Sequence, residues 1–334
     1  MVQMGRSDVV VITGASAGIG RATARAFGRL GARVGLVARG EDGLRAARDE
    51  VEEAGGRAII CPTDVADPAH LEAAAEKVER ELGPIDIWVN NAMATVFAPF
   101  LDITPEEFQR ANDVTYIGLV NGTRAALKRM KPRNNGCIVQ VGSALAYRSI
   151  PLQSPYCGAK HAVKGFTDSL RTELLHDGSA VHLTMVQLPA LNTPQFEWCR
   201  TRLSRRPQPV PPIFQPEVAA DAIVWAAYNQ RREVWVGSTT VLAILSAKIA
   251  PGFGDRYLAR NGYESQQTDE PVPADRPDNL FAAVPGDQGA HGRFDDRAYE
   301  ASPQWWLSKH RYIAALCTAG FAALIIAGRK QRLT

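Results

Sequence analysis

Three side chains have the types and spacing needed for proton transfer at a carbonyl or alcohol group. Tyr156 and Lys160 stand four positions apart in a stretch of helical period, so both are expected on one helix face. A nearby ammonium stabilises a phenolate, so Lys160 is expected to lower the pKa of Tyr156 from its usual value near ~10. Tyr156 could then give a proton to a carbonyl oxygen or take one from an alcohol. Ser143 follows a predicted strand and could hydrogen-bond the same oxygen; taken alone, the Tyr-x-x-x-Lys spacing also fits a solvated helix face.

A glycine-rich turn separates the first predicted strand from the helix after it. Residues 13–20 read Thr-Gly-Ala-Ser-Ala-Gly-Ile-Gly. Glycine allows a sharp turn and close approach to a pyrophosphate, whose charge is stabilised by the free amides at a helix N-terminus. The strand before and the helix after favour a dinucleotide-binding turn over an ordinary one. The predicted cofactor contacts in this turn are Gly14, Ser16, Gly18, Ile19 and Gly20.

The ends of the second and third predicted strands bear on the choice of cofactor. An acidic residue at the first of these ends would bind the ribose hydroxyls of NAD, but the sequence has Ala38 followed by Arg39. A guanidinium can pair with a 2′-phosphate, which favours NADP(H) over NAD(H); alternatively, Arg39 only solvates the strand end. After the third strand, Asp64 with Val65 beside it is placed to meet the adenine, and Asp64 could equally lead into the next helix as a cap.

An alternating series of strands and helices must position these motifs. Short apolar, β-rich runs alternate with longer stretches of helical period, which predicts parallel βαβ units covered by helices on both faces. The fold class is therefore α/β, with a doubly wound, Rossmann-like parallel sheet of about seven strands. The predicted strands are 8–13, 33–38, 57–61, 85–90, 137–141, 181–187 and 233–236. The predicted helices are 19–30, 44–54, 70–82, 105–130, 156–175 and 216–228.

The motifs, in this order, resemble those of the short-chain dehydrogenases/reductases over roughly residues 7–237. The matching segments are 13–20, Asn90-Asn91-Ala92, Ser143, 156–160, and Pro189 with Thr193. The resemblance implies that Tyr156 is the acid/base, that Lys160 also binds the nicotinamide ribose, and that Ser143 positions the substrate oxygen. It implies a homodimer or homotetramer as well.

The same resemblance assigns further residues to the cofactor cleft. Asn90 is expected to brace the central sheet and lie against the cofactor, and Thr193 to contact the nicotinamide carboxamide. The other contacts that it implies are Asn91, Ala92 and Pro189.

Two positions depart from the family pattern. Met93 stands where the family usually has glycine, and it projects a flexible apolar side chain near the cofactor cleft. Thr115 stands where the family usually has an asparagine that holds a water linking the lysine to solvent. A threonine hydroxyl can still bond a water or a carbonyl, so proton supply is expected to be altered but not abolished.

A segment rich in proline and aromatic residues, 192–215, is expected to cover the substrate. In this architecture ligands bind outside the carboxyl ends of the strands, and this segment follows the sixth strand. The candidate lining residues are Met93, Leu145, Tyr147, Phe196 and Trp198. Such a lining suggests a hydrophobic ketone, aldehyde or alcohol, although the same side chains could serve only to pack a lid.

Composition divides the chain into three regions. Residues 1–250 form the predicted NADP-binding catalytic domain, ending in a packed or surface-lying helix over 239–250. Residues 251–303 are rich in Asp, Pro and Gly and are predicted to be a mobile acidic linker or a strap lying on the domain. Residues 304–334 include an uncharged run, 312–328, with basic flanks and two preceding tryptophans. This run predicts a C-terminal membrane anchor; the alternative is a helix packed on the domain or across a dimer.

Composition also excludes several classes of protein. The 334 residues carry a net charge of only +3, so no nucleic-acid partner is expected. Five widely spaced cysteines without a CxxC pair predict neither a disulfide framework nor a metal site. The sequence therefore predicts an NADP-dependent oxidoreductase that interconverts a small, apolar carbonyl compound and its alcohol. Its expected place is the cytoplasmic face of a membrane, or the cytoplasm if the C-terminal segment packs on the protein.

Two other functions stay open at this point. One is an NAD-dependent alcohol dehydrogenase working oxidatively. The other is a cofactor-binding protein with little turnover, which the departures at Met93 and Thr115 suggest.

Overall fold

The computed structural model describes residues 7–311, and a seven-stranded parallel sheet lies at its centre. The strands are β1 Val9–Thr13, β2 Arg33–Ala38, β3 Arg57–Pro62, β4 Ile87–Asn90, β5 Cys137–Val141, β6 His182–Gln187 and β7 Glu233–Trp235. Their spatial order is β7-β6-β5-β4-β1-β2-β3, with every neighbouring pair parallel. The predicted doubly wound α/β class is confirmed. The order reverses between β1 and β4, where such folds bind ligands.

Helices cover both faces of the sheet. They are α1 Gly18–Gly28, α2 Glu41–Glu53, α3 Pro68–Leu82, α4 Pro105–Asn112, α5 Gly118–Arg133, α6 Ser154–His176, α7 Gln195–Trp198, α8 Pro216–Tyr228, α9 Ser238–Ile249, α10 Pro251–Asn261 and α11 Pro303–Lys309. Alternate residues of β1 enter opposite cores, because side chains alternate across a strand. Val10 and Ile12 pack with α1, α2 and α8, whereas Val9 and Val11 pack with α3 and α5.

The helix predicted over 105–130 is interrupted. A π-helical turn, Asp113–Ile117, separates α4 from α5 and contains Thr115. Such turns insert an extra residue into the hydrogen-bond ladder and are frequent at functional sites. The periodicity of the sequence did not reveal the interruption, because apolar residues continue on both sides of it.

Residues 251–303 begin with α10, a helix that the sequence analysis did not predict. Two short strand pairs then join the segment to the catalytic domain: 267–271 with 205–207, antiparallel, and 298–299 with 213–214, parallel. Between these pairs, residues 278–297 lie across the carboxyl ends of the strands and are called the strap below.

The last described residues pack on the domain. Trp305 of α11 is buried, its ring lies 5.4 Å from that of Trp225, and its Nε1 donates to Asp221 at 2.6 Å. Within residues 7–311, no helix is both long and apolar enough to cross a bilayer. The anchor predicted over 312–328 lies outside the described residues. Helix α9 leaves Leu242 and Ile249 largely exposed.

Candidate active site

The glycine turn between β1 and α1 uses backbone conformations that favour glycine. Gly14 has a φ of +68° and Gly18 a φ of +56°, both in the left-handed region. A Cβ on Gly14 would lie 2.9 Å from the Cα of Ala92, and one on Gly20 would lie 2.1 Å from the Gly14 carbonyl oxygen. The turn therefore leaves a cradle at the N-terminus of α1 that a side chain would fill. Such a cradle fits a pyrophosphate.

The end of β4 fixes the floor of this cradle. The Asn91 side chain donates to the carbonyl oxygens of Thr13 at 3.0 Å and Gly14 at 3.3 Å. In return, the Thr13 hydroxyl accepts from the amides of Asn91 and Ala92, at 2.9 and 3.1 Å. These hydrogen bonds fix the end of β1 relative to the end of β4, at the point where the strand order reverses.

Asn90 braces the sheet from inside the core. Its side chain accepts from Trp88 Nε1 at 2.8 Å and donates to Thr123 at 3.0 Å and Gln140 at 2.9 Å. With only 2% of its surface exposed, Asn90 does not line the cleft. Three core partners hold the amide in this bracing position, and the expected contact between Asn90 and the cofactor stays a prediction.

A cavity of about 820 Å³ lies at the carboxyl ends of the strands. It is large enough for a dinucleotide together with a small substrate. The predicted site residues that line it are Gly14, Ser16, Gly18, Ile19, Arg39, Asp64, Val65, Asn91, Ala92, Ser143, Tyr156, Lys160, Pro189 and Thr193. Gly20 does not line the cavity, because it packs against the backbone of Gly14 and shapes the turn from behind.

The structure brings Ser143, Tyr156 and Lys160 together on the wall of this cavity. Ser143 follows β5; its amide donates to Gln187 Oε1 at 2.7 Å, and its hydroxyl accepts from the Leu145 amide at 3.1 Å. Lys160 is buried, and its Nζ donates to the Val141 carbonyl at 2.7 Å and lies 5.5 Å from the ring centre of Tyr156. The end of β5 and the first turns of α6 therefore position all three side chains.

The pKa of Tyr156 differs from the sequence expectation. Removal from water raises it above the usual phenol value, and a hydrogen bond with Ser143 opposes this effect only in part. Burial also lowers the pKa of Lys160 to about 8. The ammonium points to the Val141 carbonyl, so it does not bring the phenol into the neutral range here. At neutral pH, Tyr156 is therefore a phenol that can donate a proton.

Two arginines and two carboxylates lie near the end of the cavity beside β2 and β3, where the adenosine is expected; Arg39 and Asp64 line the cavity itself. Arg39 donates to the carbonyls of Asn279 and Leu280, the latter at 3.3 Å. Arg110, which the sequence analysis missed, pairs with Asp64 and donates to the Leu280 carbonyl at 3.0 Å. Burial, followed by the charge of Arg110, lowers the pKa of Arg39.

Asp64 lines the cavity but is bound by protein groups. Burial alone would raise the pKa of Asp64, yet the Ala66 amide, at 3.0 Å, and Arg110 hold that pKa below its usual value. The carboxylate therefore neutralises one of the two guanidiniums. Asp278 of the strap also acts on the charge of Arg39, and it pairs with Arg200 at 2.9 Å.

Four of the five predicted substrate-lining residues line the cavity: Met93, Leu145, Phe196 and Trp198. Tyr147 does not. Its hydroxyl donates to the Glu233 carboxylate at 2.7 Å, and its ring packs edge-on against Trp235. The prediction for Tyr147 is wrong, because a carboxylate on β7 draws the side chain away from the cleft.

The Thr115 side chain is hydrogen-bonded to the loop that carries Met93. Its hydroxyl donates to the Ala94 carbonyl at 2.8 Å and accepts from the Ala94 amide at 2.9 Å. The side chain is fully buried. The hydroxyl therefore ties the π-helical turn to the cavity wall, and the effect on proton supply stays a prediction.

Many residues that line the cavity belong to no motif that the sequence analysis identified. Helices α9 and α10 contribute Thr239, Thr240, Leu242, Ala243, Ser246, Phe253, Gly254, Tyr257 and Leu258. The strap contributes Asn279, Ala283, Val284, Gly286 and Gln288. The i, i+4 spacing of Phe253 and Tyr257 could have indicated an apolar helix face. The strap has no periodic pattern that would have placed it here.

The fold and the cleft define a nicotinamide-dependent oxidoreductase that acts on CH–OH and C=O groups. A model of the short chain dehydrogenase family matches residues 8–202, and the chain belongs to that family. The strap, α9 and α10 all lie beyond the matched region.

Individual relatives agree with this assignment. The chain is 33% identical to the uncharacterized oxidoreductase YxnA of Bacillus subtilis, over 97% of this chain and 91% of the relative. It is 30% identical to mouse 17-beta-hydroxysteroid dehydrogenase 13, over 80% of this chain and 85% of that protein. A crystal structure of a metagenomic short-chain oxidoreductase in complex with NADP superposes with a TM-score of 0.58. It is 29% identical and covers 69% of this chain and 96% of its own.

Proposed function

We propose that the protein is an NADP-dependent reductase of small, apolar carbonyl compounds. One observation carries the proposal: Ser143, Tyr156 and Lys160 line the same cavity as the glycine turn and Arg39. When bound, the cofactor supplies a hydride for the carbonyl carbon. Ser143 orients the carbonyl oxygen, Tyr156 gives that oxygen its proton, and Lys160 binds the nicotinamide ribose and stabilises the phenolate that remains.

The protonated form of Tyr156 is the form that the first step of a reduction requires. Its raised pKa keeps the hydroxyl protonated at neutral pH, which is the form needed to donate to a developing alkoxide. Oxidation of an alcohol would require the phenolate at the start. Each turnover consumes one proton, which solvent must return to Tyr156.

The charges at the adenosine end support NADP over NAD. The two nearby carboxylates have other partners, since Asp64 pairs with Arg110 and Asp278 pairs with Arg200, and the strap carbonyls that accept from Arg39 are neutral. A 2′-phosphate would supply a negative charge for the Arg39 guanidinium and can form charge-assisted hydrogen bonds with it.

The substrate side of the cavity supports an apolar compound. Met93, Leu145, Phe196 and Trp198 line it together with Leu242 and Phe253 of the two helices that follow the sheet. A wall of this kind binds by burial of apolar surface, and the carbonyl supplies the one polar contact that orients the compound.

A panel of ketones and aldehydes tests the proposed reaction. We expect loss of NADPH absorbance with apolar members of the panel, and Tyr156→Phe should lower the rate by roughly 100-fold or more while it still binds NADPH. Tyr263→Phe is the matched control, because Tyr263 is exposed and does not line the cavity. Its rate should equal that of the wild type.

Other outcomes of this assay favour the alternative functions. Faster turnover with NAD and alcohols would favour the NAD-dependent alcohol dehydrogenase. NADPH binding without turnover on any compound would favour the cofactor-binding protein. Arg39→Ala should lower the preference for NADPH over NADH; an unchanged preference would overturn the proposed role of Arg39.

We further infer self-association and a cytoplasmic location. The family resemblance implies a homodimer or homotetramer, and an apolar groove between α5 and α6, which includes Leu127, Phe166 and Leu170, offers a surface for a second copy. Cys61, Cys137, Cys157 and Cys199 are free, buried thiols. Free thiols and NADPH suit the reducing cytoplasm.

A further inference from the structure

The strap crosses the cofactor cleft and contacts three successive parts of its rim. At the end of β2, Arg39 donates to the strap carbonyls of Asn279 and Leu280. At the start of α2, Asp42 accepts from the Gly286 amide at 3.2 Å. At the first turn of α1, the Gly18 amide donates to the Gly289 carbonyl at 3.0 Å. The strap therefore follows the line from the adenosine end to the pyrophosphate cradle.

The cavity lies between the strap and the glycine turn. Strap residues Asn279, Ala283, Val284 and Gln288 line the same cavity as Gly14 and Ser16 of the glycine turn. This part of the cavity therefore has two walls, one formed by the catalytic domain and one by a segment that follows it in the chain.

Specific contacts hold the strap in place. Asp287 pairs at 2.7 Å with Arg21 of α1, a side chain only 3% exposed whose second partner is Glu50. Further along, the Phe294 amide donates to the side chain of Asn192 at 3.0 Å. Gly286 and Gly289 have positive φ values, so the strap makes its bends at glycines. Leu280 and Phe294 of the strap are buried apolar anchors, whereas residues 281–289 between them are exposed or half-buried and are held by these polar contacts.

We propose that the strap is the outer wall of the nucleotide site, and that it must open for NADP(H) to enter or leave. The inference rests on the proposed function. It also gives the strap a positioning role: the Leu280 carbonyl binds both Arg39 and Arg110 and holds the two guanidiniums side by side. Because the strap carbonyls are uncharged, they leave the positive charge of Arg39 for a 2′-phosphate, whereas Arg110 is paired with Asp64.

A reversible cross-link tests whether the strap must open. A Cβ on Gly40 would lie 3.4 Å from the Cβ of Ala283, close to the separation of about 3.5–4.5 Å across a disulfide. Gly40→Cys combined with Ala283→Cys should therefore join the strap to the end of β2 on oxidation. The described native cysteines are buried, which limits competing bridges.

The measurement is the rate at which bound NADPH leaves the protein, followed by its fluorescence after dilution into excess NADP, without any carbonyl compound. We expect release from the oxidised variant to be at least roughly tenfold slower than from the same variant after reduction. Uptake by protein oxidised beforehand should slow as well. Because one variant is compared in two redox states, any effect of the substitutions themselves cancels.

A second pair of variants loosens the strap instead. Asp287→Asn removes the ion pair with Arg21 and should speed NADPH release by about twofold to fivefold, the range expected for one partly exposed pair. Asp275→Asn is the matched control: it also removes one carboxylate from the C-terminal segment, but Asp275 is exposed and does not line the cavity. Its release rate should equal that of the wild type.

Several results would overturn the inference. Equal release from the oxidised and reduced forms would show that NADPH leaves without movement of the strap. Failure of the two cysteines to join would show that Gly40 and Ala283 are not neighbours. If the wild type binds no NADPH, the proposed function fails; if it binds NADPH and none of these rates changes, only the strap proposal fails.

Discussion

The charge of Lys160 depends on pH because of where its side chain ends. The chain passes through the core beside β5, and its ammonium has a backbone carbonyl, that of Val141, as hydrogen-bond partner. A carbonyl offsets only part of the cost of removing an ammonium from water, so burial lowers the pKa of Lys160 to about 8. The group that must stabilise the Tyr156 phenolate is therefore close to losing its own proton under mildly alkaline conditions.

The lowered pKa of Lys160 predicts how the rate of the reduction depends on pH. Below pH 8 Lys160 is an ammonium, and above it the amine is neutral, so kcat/KM for NADPH should fall as pH rises through about 8. Lys160→Arg keeps a positive charge over the whole range, since a guanidinium stays protonated. Even with a much lower rate, that variant should lose the fall near pH 8. A fall at the same pH in both proteins would contradict the assignment to Lys160.

At the scale of elements, the strap ends in a cluster of charges that responds to pH. His291 lies 3.0 Å from both Glu217 of α8 and Asp295, and Arg25 of α1 also pairs with Glu217. Burial alone would lower the pKa of His291, but the hydrogen bonds and charges of the two carboxylates raise it above its usual value. A raised folded pKa means that the imidazolium form stabilises the folded state.

The stabilising effect of His291 decreases as pH rises. The contribution of His291 is fully present below its unfolded pKa, near ~6.5, and is lost as pH rises through the higher folded pKa. His291→Gln should therefore lower the Tm by about 1–2 °C at pH 6, with a smaller difference at pH 8. The measurement is the Tm of both proteins across this range. His176→Gln, at an exposed position on α6, should show no such convergence; if it converges equally, the effect does not come from the strap.

The sequence predicted the elements of the sheet better than the strap, for a physical reason. Strands covered on both faces need no polar side, so their runs are continuously apolar, and all seven predicted strands are present in the sheet. The glycine turn and the Tyr-x-x-x-Lys group were also found, because local geometry fixes their spacing. By contrast, Arg21 and Asp287 are 266 positions apart, and such contacts leave no local pattern. The error at Tyr147 has the same origin, because its partner Glu233 is 86 positions away.

At the scale of the whole molecule, the nucleotide end of the cleft and the apolar groove are lined by different elements, although α6 also lines the cleft with Tyr156 and Lys160. The nucleotide end of the cleft is bounded by α1, α2 and the strap, whereas the groove lies between α5 and α6 and is lined by Leu127, Phe166 and Leu170 among others. A second copy could therefore cover the groove without obstructing the strap. On α6, Gly165 is exposed beside the groove, and space is open where its Cβ would lie.

A single substitution tests self-association through this face. Gly165→Arg should fold, since the added side chain meets nothing within the protomer and arginine favours a helix over glycine by roughly 0.5–1 kcal/mol. It should nevertheless shift the sedimentation of the protein from a dimer or tetramer to a smaller species, because a guanidinium would be buried against the second copy. Gly252→Arg is the matched control, at an exposed glycine of α10 with equally open space. Dissociation by Gly252→Arg but not Gly165→Arg would place the contact at α10 instead, and a wild type that sediments as a monomer would contradict self-association altogether.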